Sequence, residues 1–222
     1  MKYFPLLISL SIAFVFALYL TVYLHELGHS IVAFYYGCKE NPFVVTITPT
    51  LINSNESPYN EGCWNSLQPL QHAAIASGGF ASNILFGSLF LLLAKNEYPW
   101  KRKSGFNMIL LFFFLLMGFF NFLHLVPYLI GGSFGRVWVE NAEGLYNDVA
   151  LIISTTKINQ LLFPIIGIFV GILVWKTYKT LFGKFGQIYI SSKVAVDSWE
   201  RKFTYTYFLL ILILTMAFLY FL

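Results

Sequence analysis

The sequence predicts an all-α polytopic membrane protein of about five transmembrane helices, with a short membrane-associated β-hairpin after the first. Three observations predict it. Of its 222 residues, 58% are hydrophobic and 11% charged, against about 45–50% and about 25% in ordinary soluble domains. Apolar segments of roughly 20 residues or more recur along the chain, each able to cross about 30 Å of hydrocarbon. Between the first two lies a β-branched run bounded by prolines. No internal repeat, low-complexity tract or composition break divides the chain, so 1–222 reads as a single transmembrane domain. The net charge of +4 is no nucleic-acid signal, because the basic residues stand in short loops beside apolar spans.

The first segment, 4–37, is longer than a bilayer needs and projects beyond the hydrocarbon. It exceeds a signal peptide in length, lacks a small-residue cleavage site and carries the chemistry described below, so it is retained. Residues 42–52 read as a strand or hairpin that Pro42 and Pro49 confine to an edge. The second span, 71–94, opens with Ala-Ser-Gly-Gly-Phe-Ala-Ser-Asn at 76–83, small residues that let helices approach closely in lipid. The third is 105–130, the fourth 160–183 and the fifth 203–222. Residues 131–159 are too polar to face lipid, with Arg136, Glu140, Glu143 and Asp148, and belong in water or along a protein-enclosed cavity.

Cys38 and Cys63 both fall in the first loop and form no C-x-x-C pair; a disulfide and two unlinked thiols fit the spacing equally. With five spans, one side of the membrane holds Lys2, Lys95, Lys101, Arg102, Lys103, Lys176, Lys179, Lys184, Lys193, Arg201 and Lys202, and the other only Lys39, Arg136 and Lys157. That bias puts the N-terminus in the cytoplasm and the cysteine-bearing loop outside.

His25-Glu26-Leu27-Gly28-His29 carries the chemistry. Residues four apart share one helix face, so His25 and His29 can grip one metal ion while Glu26 stands beside them as a general base. Buried in an apolar span, such groups are costly without a task. A catalytic zinc takes three protein ligands and leaves a position for water. The chain has four histidines, and its two aspartates are Asp148 and Asp197. Asp197 sits among Lys193, Glu200 and Arg201 and reads as a solvated loop charge. Asp148 stands at the mouth of the apolar run 149–153, where it is a third ligand or a helix N-cap. His124, one turn after Asn121 in the third span, is the rival, and the absence of any third protein ligand is the remaining alternative. His72 reads as an interfacial residue.

Three blocks spread over most of residues 20–155 make the chain resemble the site-2 protease family of intramembrane zinc metalloproteases. The first is the 25–29 motif with Ala33 and Tyr36-Gly37 after it; the second is 76–83, similar to the family's Ala-Gly-Pro-Leu-Ala-Asn helix start. The third is Asn121-Phe-Leu-His-Leu-Val-Pro127, similar to its Asn-Leu-Leu-Pro segment. The resemblance implies a core of three transmembrane helices and a zinc held by His25, His29 and an aspartate beyond the third block. The family's acid follows the proline by about one turn, where this chain has Gly131-Gly-Ser-Phe-Gly-Arg136, with Phe134 in the place of the acid of a Ser-Asp-Gly variant; Asn147-Asp148 followed by an apolar run then resembles the family's Asp-Gly after a loop insertion. Asp148 is therefore favoured as third ligand. His124 stands where the family has Asn, which with Asn83 marks a substrate contact. The expected activity is an endopeptidase cleaving transmembrane or membrane-anchored segments, with a membrane-protein substrate, the lipid bilayer and no nucleic acid as partners. The alternative is an inactive member that binds such proteins without cutting them. A third class, in which Glu140 or Glu143 completes the H-E-x-x-H site, lacks its acidic helix here. The family resemblance implies a site opening to the cytosol, opposite to the side the charge bias assigns.

Overall fold

Four of the apolar stretches form helices long and apolar enough to cross a membrane in the computed structural model, which describes residues 4–45, 60–96, 105–134 and 148–191. In chain order the helices are α1 (Phe4–Tyr35), α2 (Glu61–Ser66), α3 (Pro69–Lys95), α4 (Gly105–Phe134), α5 (Asp148–Thr156) and α6 (Leu162–Ser191). The expected fifth span, 203–222, lies outside the described residues.

α1, α3 and α4 pack on one another, α6 lies against α4, and the short α5 rests on α3 and α4. α1 is apolar on every side, so composition does not say which face is inward. Packing does: Leu10, Ala13, Ala17, Thr21, His25 and Gly28, spaced by three or four residues, turn toward the bundle. Ile8, Ile12, Val15, Phe16, Ile31 and Phe34 stay exposed, as side chains bound for lipid do. Leu111, Phe112, Leu115, Met117 and Phe120 of α4 meet the α1 stripe in the main apolar cluster. One turn before His25, Thr21 receives the Asn121 amide at 3.4 Å, and the same Nδ2 donates to the Met117 carbonyl at 2.7 Å. The asparagine of the third sequence block thus ties α4 to α1 below the histidines.

Small residues set the α1–α3 distance. A Cβ on Gly28 would collide with the Gly78 carbonyl and the Ser82 Cβ, and one on Gly78 with the Gly28 carbonyl. Ser82 Oγ donates to the Leu24 carbonyl across the same contact. Without a hydrophobic force between helices in lipid, such close approach and interhelical hydrogen bonding hold them together.

α1 ends in a Schellman turn: Cys38 N–H reaches the Ala33 carbonyl, Gly37 N–H the Phe34 carbonyl, and Gly37 adopts φ +76°. The buried Cys38 is then bonded to Cys63 of α2, with Cα atoms 5.2 Å apart. Asn60 caps α2 through Cys63 N–H, and its own N–H bonds the Cys38 carbonyl, so α2 docks on the end of α1. The hairpin expected at 42–52 needs correction where it is described. Residues 42–45 form a turn and no strand, because Asn41 accepts from Phe43 N–H through its side chain at 3.0 Å and from Val44 N–H through its carbonyl at 3.4 Å. Residues 46–52 lie outside the described part.

Candidate metal centre

His25 and His29 lie side by side on the buried face of α1, 2% and 6% exposed. Their Nε2 atoms are 3.1 Å apart. Asp148, the first residue of α5, brings Oδ2 to 3.3 Å from His25 Nε2 and 3.2 Å from His29 Nε2. The three ligand atoms form a nearly equilateral triangle. Tetrahedral ligands at zinc–nitrogen and zinc–oxygen distances of about 2.0–2.1 Å stand about 3.3 Å from one another. The donor set and its spacing therefore fit a zinc ion.

Each member is placed by a different element. His29 Nδ1 donates to the Ile75 carbonyl of α3 at 2.7 Å, which fixes the ring and leaves Nε2 with its lone pair toward the cluster. The ring fits because Gly79 has no side chain: a Cβ there would strike both imidazoles. Asp148 arrives because α5 is seated by its apolar face. Ile152 packs on Ala73 and Ala76 of α3, with Leu151, Phe80 and Phe163 around them, and Val149 is fully buried. An aspartate in the first turn of a helix is ordinary dipole chemistry; here its carboxylate also reaches back to the histidines. The Asp148 pKa is lowered to about 2: burial alone would raise it, but without a metal the neighbouring His25 and His29 rings, when protonated, donate to the carboxylate and attract it, which outweighs that effect.

Glu26 neighbours both histidines and is half-buried, close enough to His29, His25, Asp148 and Lys39 to interact electrostatically with each. The chain thus brings together His25, Glu26, His29 and Asp148 in one buried site.

His124 lies nearby but stands outside the triangle. Its ring centre is 4.7 Å from that of His25, edge to face, and its Nδ1 is 3.1 Å from Asn83 Nδ2. Asn83 is fully buried, and the same Nδ2 is 3.0 Å from His25 Nδ1. Of the two residues expected to touch substrate, Asn83 thus stands at the His25 nitrogen opposite the one Asp148 approaches, and His124 lies against the same ring. His72 is not part of the metal-ligating group and packs on Trp64, with ring centres 4.5 Å apart.

Sequence reasoning did not single out Tyr128 or Phe80. Tyr128 stacks beside His124 at 4.8 Å and His25 at 5.6 Å, and Phe80 meets His25 at 6.1 Å. Tyr128 follows His124 by one helical turn, and that spacing was the available signal. Gly79 and the Ile75 carbonyl had none beyond the small-residue run.

Compared with known proteins, residues 6–155 match the family model described as Peptidase M50B-like. No curated protein and no solved structure matches. The matched stretch runs from the first turn of α1 to the last turn of α5, and so includes every residue of the buried cluster.

Proposed function

The chain belongs to the Peptidase M50B-like family, within the site-2 protease group, and from that membership we propose that it is a zinc endopeptidase working inside the membrane. The observation that carries the reading is the triangle of His25 Nε2, His29 Nε2 and Asp148 Oδ2, drawn from two helices, with His25 and Asp148 123 residues apart in sequence, and buried among spanning helices. These three residues would hold the metal. Zinc, when bound, polarises a scissile carbonyl and makes water more acidic.

The chain's own groups do the rest. His29, braced by the Ile75 carbonyl, and His25, flanked by Asn83, present their Nε2 atoms from a single face of α1. The Asp148 carboxylate offsets positive charge in a site of low dielectric, where an uncompensated cation would be very costly. Glu26 takes a proton from the attacking water and delivers it to the leaving amine nitrogen. The substrate is a transmembrane or membrane-anchored segment. Its helix protects each amide by internal hydrogen bonding, so it is unwound locally before attack.

The test uses the full chain purified in detergent. Wild-type protein is expected to hold about one zinc per chain and to cleave a membrane-anchored substrate. Glu26→Gln should retain the zinc and the fold while losing cleavage at least roughly a hundredfold. An active Glu26→Gln protein would remove the mechanism. Zinc-loaded wild type that cuts no membrane protein of its own cell would favour the binding-only alternative.

A further inference from the structure

The buried Asn83 amide joins two imidazoles through one atom. Its Nδ2 lies 3.0 Å from His25 Nδ1 and 3.1 Å from His124 Nδ1, while its Oδ1 is buried without a hydrogen-bond partner. The proton count at His25 is then decisive. A neutral imidazole carries one N–H. If the amide nitrogen donates to Nδ1, the proton of His25 must sit on Nε2, inside the triangle with His29 and Asp148, and that nitrogen cannot be a ligand. His29 shows the opposite arrangement: its Nδ1–H is held by the Ile75 carbonyl, so in the neutral ring Nε2 keeps its lone pair for the triangle. A half-turn of the Asn83 amide about its terminal bond places Oδ1 where Nδ2 stands. The oxygen then accepts from Nδ1–H of His25 and from Nδ1–H of His124, and His25 Nε2 becomes a lone-pair donor like that of His29. Either orientation leaves one end of the amide unpaired, so the hydrogen-bond tally does not choose between them. The ligand chemistry does.

We propose that Asn83 is a positioning residue for metal binding: with its carbonyl oxygen turned to His25 Nδ1–H and His124 Nδ1–H, it fixes His25 as an Nε2 ligand and orients both rings. This inference rests on the zinc reading of the site. It assigns Asn83 to the ligand's outer support, which burial of the whole side chain favours over direct substrate contact. It also gives His124 a part, as the second donor that holds the amide oxygen in place. Groups in this position tune ligand basicity and ring orientation, and losing one typically lowers metal affinity about 10- to 100-fold.

The experiment measures zinc affinity by competition with a chromogenic chelator, on full-length protein, for wild type, His25→Ala, Asn83→Leu and Asn83→Asp. Aspartate offers an acceptor oxygen and no donor; leucine offers neither at similar volume. Asn83→Leu should bind zinc about 10- to 100-fold more weakly, and Asn83→Asp should stay near wild type or bind more tightly. Wild-type affinity in Asn83→Leu, or an equal loss in both variants, overturns the proposal. Loss of zinc in His25→Ala establishes the metal site independently, so its failure and the failure of the Asn83 role are distinguishable. Should Asn83→Leu not fold, nitrogen NMR of histidine-labelled, zinc-loaded wild type decides alone. A protonated His25 Nδ1 supports the assignment, and a bare Nδ1 overturns it.

Discussion

Asp148 is the residue on which the buried cluster depends most. The histidine pair is local, one helical turn of α1, whereas the carboxylate comes from another helix and approaches both Nε2 atoms within 3.3 Å. Replacing it by alanine would leave two imidazoles to bind a dication with no carboxylate in the ligand triangle, in an apolar setting. Asp148→Ala should lower zinc affinity at least about tenfold and abolish cleavage, while Asp148→Glu should restore part of the affinity, because a carboxylate remains within reach. Calorimetry with zinc titrated into chelator-stripped protein checks both. An unchanged affinity in Asp148→Ala would move the third-ligand role elsewhere, with His124 the nearest imidazole.

At the scale of elements, the α1–α3 contact decides whether the histidines can face the triangle at all. Gly78 and Gly79 bring α3 against the motif, and the Gly79 position has room for no side-chain carbon beside the two rings. Gly79→Val should push the helices apart, cost about 1–3 kcal/mol of stability by overpacking and abolish zinc binding. Gly183→Ala in α6, where an added Cβ meets nothing within 4 Å, is the control. It should leave zinc binding intact and raise helix stability by up to about 1 kcal/mol. Equal behaviour of the two variants in thermal unfolding and zinc loading would contradict the close-contact account. The small-residue run was legible at 76–83, yet its partner was not: Gly28 inside the motif reads in sequence as a spacer between two histidines, and only packing makes it half of a glycine pair.

For the whole molecule, the lysine and arginine distribution and the cysteine bridge bear on the same question of sidedness. Cys38 and Cys63 close a loop of 25 residues between the end of α1 and α2, and such a loop restrains the unfolded chain by about 3 kcal/mol. Disulfides persist in oxidising compartments, so a bridge formed in the cell would put this loop outside and favour the orientation that the charge bias predicts, with the basic loops in the cytoplasm. Cells whose thiols are trapped by acid before lysis should yield the chain with both cysteines oxidised, and a reporter fused before Met1 that matures only in the cytosol should fluoresce. Free Cys38 and Cys63 with a silent reporter would reverse the orientation and turn the site toward the cytosol.

The sequence by itself determined the long helices and the candidate chemistry, because both are local. A run of some 20 apolar residues can satisfy its backbone in lipid only as a helix, and two histidines four apart share a face whatever surrounds them. It also narrowed the acid to Asp148, since the chain offers one other aspartate, set among charges. What it left open was non-local. α1 is apolar on all sides, so its inward stripe is chosen by what packs there. A turn stands at 42–45, where the expected strand would begin, because Asn41 captured two amides that a ladder would have needed. Whether Asp148 was an N-cap or reached the histidines depended on α5 finding its seat on α3. Asn83, one polar residue among many small ones, acquired its place between His25 and His124 only when α1, α3 and α4 closed around it, because hydrogen-bond partners in a bundle are set by the distance between helices rather than by spacing along any one of them.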